Sequence, residues 1–308
     1  MKVFVTGAAG FIGRASVEEL LKHGHTVLAL ARSDSSAETL RKLGAEVHRG
    51  DLEDLESLKA GAAASEGVLH LGFVHDFSRF AAVCQIDQNA IAAMGSVLSP
   101  GQPLVIASGT LGLIETDGPG DESTPDNREL GDFSKRAESG DLVRRLSDEK
   151  GIRGMVIRFS PSVHGKGDGG FVAAIIQAAR KSGKSVYIEG SDACWPEAHR
   201  LDTAALCRLA LEKGKPGATY HGIAEQGVPV KDLAELIGRK LELPVEAVSF
   251  QEAQQSLGFF AMVMSRKNPV SSEKTQQELG WKPTQPGWLE DVEENYFTKE
   301  ALEKEIKY

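Results

Sequence analysis

Cysteine is scarce in this chain of 308 residues. Cys84, Cys194 and Cys207 lie far apart and offer no C-x-x-C pair for a metal or redox centre, so they read as buried spectators. Positive charge is also short, with 35 Lys and Arg against 44 Asp and Glu and a net charge of −9. Nothing global offsets phosphate repulsion, which argues against a general nucleic-acid or anionic-membrane binder. A local basic pocket for a small phosphorylated ligand stays open. No apolar run reaches about 18 residues, so no membrane span is expected. The sequence opens on the apolar Val3-Phe4-Val5 rather than on a charged stretch and a cleavable apolar one, and a cytosolic location is expected. It shows no internal repeat and no low-complexity linker.

The most informative segment that is present is Thr6-Gly-Ala-Ala-Gly-Phe-Ile-Gly13. Gly7, Gly10 and Gly13 are spaced G-x-x-G-x-x-G between an expected strand and an expected helix over 14–23. The first glycine gives the turn its backbone freedom, and the second lets a pyrophosphate approach the main chain. The third lets helix and strand pack closely, and the free N–H groups at the helix start favour phosphate. Gly7, Gly10, Phe11, Ile12, Gly13 and Arg14 are therefore candidate cofactor contacts.

Apolar bursts alternate with helical stretches, the βαβ rhythm of a parallel sheet. Strands are expected at 3–5, 26–31, 46–48, 67–71, 103–107, 154–159 and 218–224, and helices at 14–23, 37–43, 55–63, 80–98 and 135–150. The continuous apolar character of the strands suits a sheet covered on both faces. Amphipathic segments follow at 230–241 and 251–265, Gly165–Gly170 is the most flexible stretch by composition, and 113–127 reads as a surface loop. The expected fold is an α/β, Rossmann-type, doubly wound parallel sheet of about seven strands, with a smaller, mainly helical C-terminal substrate lobe. Residues 1–159, completed by about 200–224, would form the dinucleotide domain; 160–199 and 225–308 would form the lobe.

The second strand ends in Ala31-Arg32-Ser33, where an acidic residue would bind the ribose diol of NAD. Arg32 instead suits the 2′-phosphate of NADP(H), Ser33 can add a hydroxyl, and Arg14 can approach the same phosphate. Asp34 can still meet a ribose, so NAD(H) stays open as the lesser choice. Asp51 and Leu52 follow the third strand, where a carboxylate can accept from adenine. Leu71, Gly72 and Phe73 end the fourth strand, where a small residue leaves room beside the adenosine ribose.

These residues, with Ile106-Ala107-Ser108, the run Arg158-Phe-Ser-Pro-Ser-Val-His-Gly165 and the tail Glu278-Leu-Gly-Trp-Lys-Pro283, resemble the short-chain dehydrogenase/reductase superfamily in its extended, epimerase/dehydratase-like branch. The resemblance spans nearly the whole chain. It implies a seven-stranded Rossmann sheet, a nicotinamide cofactor, a lobe closing over a small-molecule substrate and, frequently in that family, a homodimer.

The family chemistry uses a Tyr four residues before a Lys, the phenol exchanging a proton with the substrate oxygen. Here the tyrosines are Tyr187, Tyr220, Tyr296 and Tyr308, and none has Lys four residues on. Near 132–136 either Arg136 takes the lysine place, with Asp132 at the tyrosine place, or Lys135 does; neither register gives a phenol. Ser108 and Thr110 remain able to bond a substrate carbonyl, and Lys135 or Arg136 to grip the nicotinamide ribose. His164, in a turn expected to face the cleft, carries an imidazole whose unperturbed pKa of about 6.5 suits proton exchange near neutrality, and it is a candidate proton donor. His199, and His75 with Asp76, are others, while Asp202 is expected to cap the helix 203–213. The resulting expectation is an NADP(H)-dependent oxidoreductase for a small or medium carbonyl, alcohol or related unsaturated substrate with a non-standard proton donor. Alternatives are an NAD(P)-dependent epimerase, dehydratase or isomerase, or a non-catalytic NADP(H) sensor.

Overall fold

The computed structural model describes residues 1–304, apart from the side chains of Phe77, Ser256 and Phe259; the last residues of the expected lobe, 305–308 with Tyr308, lie outside the described residues. The first half runs β1 (Lys2–Thr6), α1 (Phe11–Lys22), β2 (Thr26–Ala31), α2 (Asp34–Lys42), β3 (Glu46–Arg49), α3 (Leu55–Ala63), β4 (Gly67–His70), α4 (Phe80–Val97), β5 (Pro103–Gly109) and α5 (Lys135–Lys150). Then come β6 (Arg153–Phe159), β7 (Ser162–His164), α6 (Phe171–Ser182), β8 (Ser185–Ile188), β9 (Cys194–His199), α7 (Arg200–Lys213), β10 (Thr219–Gly222) and β11 (Glu225–Pro229). The chain closes with α8 (Val230–Leu241), β12 (Val245–Val248), α9 (Phe250–Leu257), α10 (Phe259–Met264), α11 (Glu273–Leu279), α12 (Trp288–Asn295) and α13 (Lys299–Glu303).

Seven strands form one sheet in the order β10-β6-β5-β4-β1-β2-β3, every pair parallel. Successive side chains on a strand point to opposite faces, so β1 sends Val3 and Val5 to one core and Phe4 to the other. The first core packs α1 and α7 through Val17, Leu20, Leu206 and Leu211; the second packs α3, α4 and α5 through Leu58, Ile91, Met94 and Val143. The chain reverses its winding between β1 and β4, which opens a crevice at the carboxyl ends of those strands. Register aligns Thr6 with His70 and Ser108 with Arg158 at that edge.

A third apolar cluster joins α6, α8 and α12 around Trp195, Leu233 and Trp288, beside a three-stranded sheet β11-β9-β7 and a two-stranded one β12-β8. This region is mainly helical, as expected, with these short strands added. The amphipathic stretch 251–265 is two helices, because Gly258 takes φ 55°, a left-handed conformation that ends α9. Asp202 does not cap α7. The His199 ring accepts from Leu201 N–H there, while the Asp202 carboxylate accepts from the N–H groups of Thr284 and Gln285 at 3.0 Å each. Trp281, fully buried, donates to the Asp202 carbonyl, so this aspartate fastens the Leu-Gly-Trp tail to α7.

Candidate active site

Gly7 sits at φ 66°, and a Cβ there would stand 2.6 Å from the Leu71 carbonyl carbon. A Cβ on Gly13 would run into the Gly7 carbonyl, so strand and helix touch where the third glycine lies. No side chain caps α1 at Gly10, and its first N–H groups are left to the crevice. The crevice is a pair of connected cavities of about 640 and 670 Å³ that share Gly7, Gly10, Leu71, Phe73 and His75.

Arg32, Ser33, Asp51, Leu52 and Gly72 line the first cavity together with Ser36, which the sequence reading missed. Ser33 is the N-cap of α2 and exchanges bonds with Ser36 in a capping box, so its hydroxyl already serves the helix. Asp34 is fully exposed, pairs with Arg49 at 3.0 Å and does not line the cavity. The Asp51 Oδ1 accepts from Glu53 and Asp54 N–H, which fixes the carboxylate in the cavity wall. Arg32 lines the first cavity and Arg14 the second. One turn into α1, Arg14 lines that second cavity with Phe11, Ile12 and Ser160. Its Nε and the Ser160 Oγ are buried without a partner. A cradle that no Cβ fits, an uncapped helix start and two orphaned polar atoms suit a dinucleotide.

At the far end of the crevice the two possible registers of α5 are resolved. Neighbouring residues on a helix point about 100° apart, so only one of Lys135 and Arg136 can face inward. Lys135 is turned to solvent and bonds Glu138 at 2.8 Å; it lines none of the cavities described, contrary to the expected ribose contact. Arg136 lines the crevice. Its Nη1 is bound to Asp87, its Nη2 donates to the Ala107 carbonyl at 2.5 Å, and its guanidinium lies 4.4 Å from the Phe73 ring centre. Asp132 is exposed in the turn 131–134. Ser108 and Thr110 both line the same wall, and the buried Thr110 hydroxyl accepts from Asn268 at 3.1 Å.

Beyond Arg136 and Ser108 opens a further cavity of about 280 Å³ walled by Phe73, Phe80, Phe133, Phe171, Leu130 and Met262. Phe80 and Phe133 stack with centroids 4.7 Å apart, and Phe73 lies 6.0 Å from Phe80. Asp126 and Arg266 are its other charged residues, paired with Arg158 at 3.0 Å and Glu115 at 3.4 Å. Most of these residues were missed, because no spacing in the sequence links Phe73 after β4, Phe80 at the start of α4, Phe133 in the turn 131–134 and Phe171 at the start of α6.

His164 does not face the cleft. The alternation of β7 turns Val163 to the crevice and His164 to a closed interior, where it has no exposure. Its Nδ1 meets Asp291 at 2.8 Å and its Nε2 bonds Glu197. Burial alone would lower its pKa, but the two carboxylates overcome this and raise it to about 9. His199 packs edge-on against it at 5.3 Å, and Asp76 caps the turn 77–79. His75 stays in the crevice wall. Among the described residues one phenol comes near: Tyr296 donates to Asp168 at 2.9 Å, and Asp168 lines the second cavity. Burial and that carboxylate push the phenol well above its usual pKa, the reverse of what proton exchange needs.

Residues 3–222 match the NAD dependent epimerase/dehydratase family. An uncharacterized protein of Saccharomyces cerevisiae is 43% identical over 306 residues, covering 96% of this chain and 99% of that protein. The 4-hydroxy-2-methyl-3-oxo-4-farnesyl-3,4-dihydroquinoline-1-oxide ketoreductase of Stigmatella aurantiaca is 24% identical over 326 residues, 91% of this chain and 92% of its own. The solved UDP-glucose 4-epimerase of Thermotoga maritima superposes with a TM-score of 0.77 at 18% identity, covering 98% of this chain and all of the other, which is a likeness of fold. Among the described residues no helix is long and apolar enough to cross a membrane. The chain belongs to the NAD dependent epimerase/dehydratase family and is an enzyme of its NAD(P)-dependent oxidoreductase and epimerase chemistry.

Proposed function

We propose that the protein is an NADP(H)-dependent reductase of flat, apolar carbonyl compounds. The observation that carries this reading is the phenylalanine-walled cavity opening onto Ser108 and Arg136 at the end of the dinucleotide crevice. Bound in the crevice, NADPH would supply the hydride for the carbonyl carbon, and the oxygen would take its proton from solvent water, giving the alcohol and NADP⁺. The Ser108 hydroxyl and a guanidinium N–H of Arg136 donate to the substrate oxygen as negative charge builds there. The four aromatic rings hold the apolar body and keep bulk water from it. Ser160 and Arg14 present their orphaned atoms to the cofactor, and Arg32 and Ser36 flank the adenosine end. The region 160–199 with 225–308 serves as the substrate lobe. A sugar nucleotide has many hydroxyls to satisfy, and this cavity offers few partners for them. The Stigmatella relative is named as a ketoreductase of a farnesyl-bearing dihydroquinoline oxide, which agrees with an apolar pocket.

Calorimetry is expected to show tighter binding of NADPH than of NADH. Arg32→Ala is expected to weaken NADPH about 10- to 100-fold, the worth of a charge-assisted pair, while leaving NADH unchanged. Equal affinities in the wild type would remove the NADP(H) assignment. Incubation with NADPH and a panel of aryl aldehydes, ketones and enones tests the reaction. Conversion without net NADPH consumption would assign an epimerase or isomerase instead.

A further inference from the structure

A chain of buried polar groups runs under the floor of the crevice. Gly72 N–H donates to the Thr6 hydroxyl at 3.0 Å, and that hydroxyl lies 2.7 Å from His70 Nδ1. His70 Nε2 lies 3.1 Å from Asp87 Oδ1. Ser139 donates to Asp87 Oδ2 at 2.6 Å, and Arg136 binds the same oxygen. Thr6, His70, Asp87 and Ser139 are each 1% exposed or less. The hydrogens follow from bookkeeping. The ionised Asp87 carboxylate can only accept, so the imidazole carries a proton on Nε2 and donates to it, and in the neutral ring Nδ1 is then the acceptor for the Thr6 hydroxyl proton. Every bond in the chain runs toward the carboxylate.

We propose that Asp87 is a positioning residue for Arg136, held by His70, Thr6 and Ser139 so that the guanidinium stays fixed at the substrate oxygen. The role rests on the reading of Arg136 given above. Both carboxylate oxygens are committed, one to His70 and the other to Ser139 and Arg136, so the carboxylate cannot rotate. Arg136 is then held at Asp87, at the Ala107 carbonyl and on the Phe73 ring, with two of its five donors engaged in these contacts. Burial would raise the Asp87 carboxyl, but Arg136, His70 and Ser139 overcome this and hold it below the usual carboxylate range. The far end of the chain, Gly72, lies in the wall of the adenosine cavity, so one hydrogen-bonded line spans both halves of the crevice.

The test uses Asp87→Asn, with His70→Gln and Ser139→Ala as milder variants and Arg136→Ala as reference. Three readouts are taken: kcat and KM for NADPH reduction of 4-nitrobenzaldehyde, the Kd of NADPH, and the Kd of benzoate on the NADP⁺-saturated protein. Benzoate is a non-reacting probe that sets an oxygen anion against Arg136. Asp87→Asn is expected to lower kcat at least 30-fold and weaken benzoate at least 10-fold, with KM and the NADPH Kd within about threefold. The milder variants follow the same pattern with smaller losses, and carry the test if Asp87→Asn does not fold. The imidazole ¹⁵N spectrum of the wild type is expected to show His70 protonated on Nε2. If Asp87→Asn keeps kcat within threefold while Arg136→Ala is impaired, the positioning role fails and the reading of Arg136 stands. Parallel losses in kcat and NADPH affinity would reduce Asp87 to a structural group and overturn the role. If Arg136→Ala equals the wild type, or benzoate does not bind the wild type, the reading of Arg136 falls and takes this role with it.

Discussion

Replacing His164 with leucine is expected to cost the fold about 3–5 kcal/mol without weakening NADPH binding to the folded fraction. The ring is wholly buried between Glu197 and Asp291, so removing it strands two interior carboxylates with no cation between them. Burial already raises the Glu197 carboxyl to about 7, with His164 pulling it back; the variant would raise it further. The wild type should show the same dependence through pH. His164 titrates near 9 in the folded protein against 6.5 when unfolded, so its contribution is complete below about 6.5 and is lost as pH rises through about 9. A shift of that size is worth roughly 3 kcal/mol in order of magnitude. Urea denaturation followed by tryptophan fluorescence at pH 6.5 and 9.5 checks both statements. The wild-type midpoint should fall with pH, and the variant should begin low and change less. A variant as stable as the wild type, or one defective in NADPH binding while folded, would return His164 to the cleft.

The sheet was legible because its signals are local. The glycine octet, the continuous apolar strands and the helices between them each show in a short window, and α3 and α5 begin and end where the sequence placed them. The missing Tyr-x-x-x-Lys pair was equally plain, since four tyrosines can be checked one by one. What failed depends on orientation. Choosing Arg136 over Lys135 needs the phase of α5, and a one-residue error turns a helix by about 100°. Placing His164 needs the phase of a three-residue strand, too short to show alternation. Asp202 reads as a cap until the tail 80 residues later folds back to occupy its oxygens. The apolar cavity draws its rings from two helices, a loop and a turn, and Asp87 meets His70 and Arg136 only across a packed layer. Long-range meetings of this kind leave no spacing to read.

Arg136→Ala is expected to lower kcat about 10²- to 10³-fold, the usual loss when one donor to a developing oxyanion is removed. Truncation also leaves Asp87 buried and uncompensated, so melting must be followed alongside the kinetics. Arg136→Lys separates the two effects. An ammonium restores charge opposite Asp87 but is a point donor, unable to hold Asp87, the Ala107 carbonyl, the Phe73 face and the substrate oxygen at once. The lysine variant should therefore recover stability nearly in full and activity only in part. Guanidinium added to Arg136→Ala should raise its rate toward that of the wild type, because the Phe73 ring, Asp87 and the Ala107 carbonyl still form a slot for a planar cation. Steady-state rates with NADPH and an aryl aldehyde, measured with and without added guanidinium, decide the matter. If the alanine variant keeps its rate within twofold, the cleft works without this cation, and the proton and charge chemistry must lie with Ser108 and water.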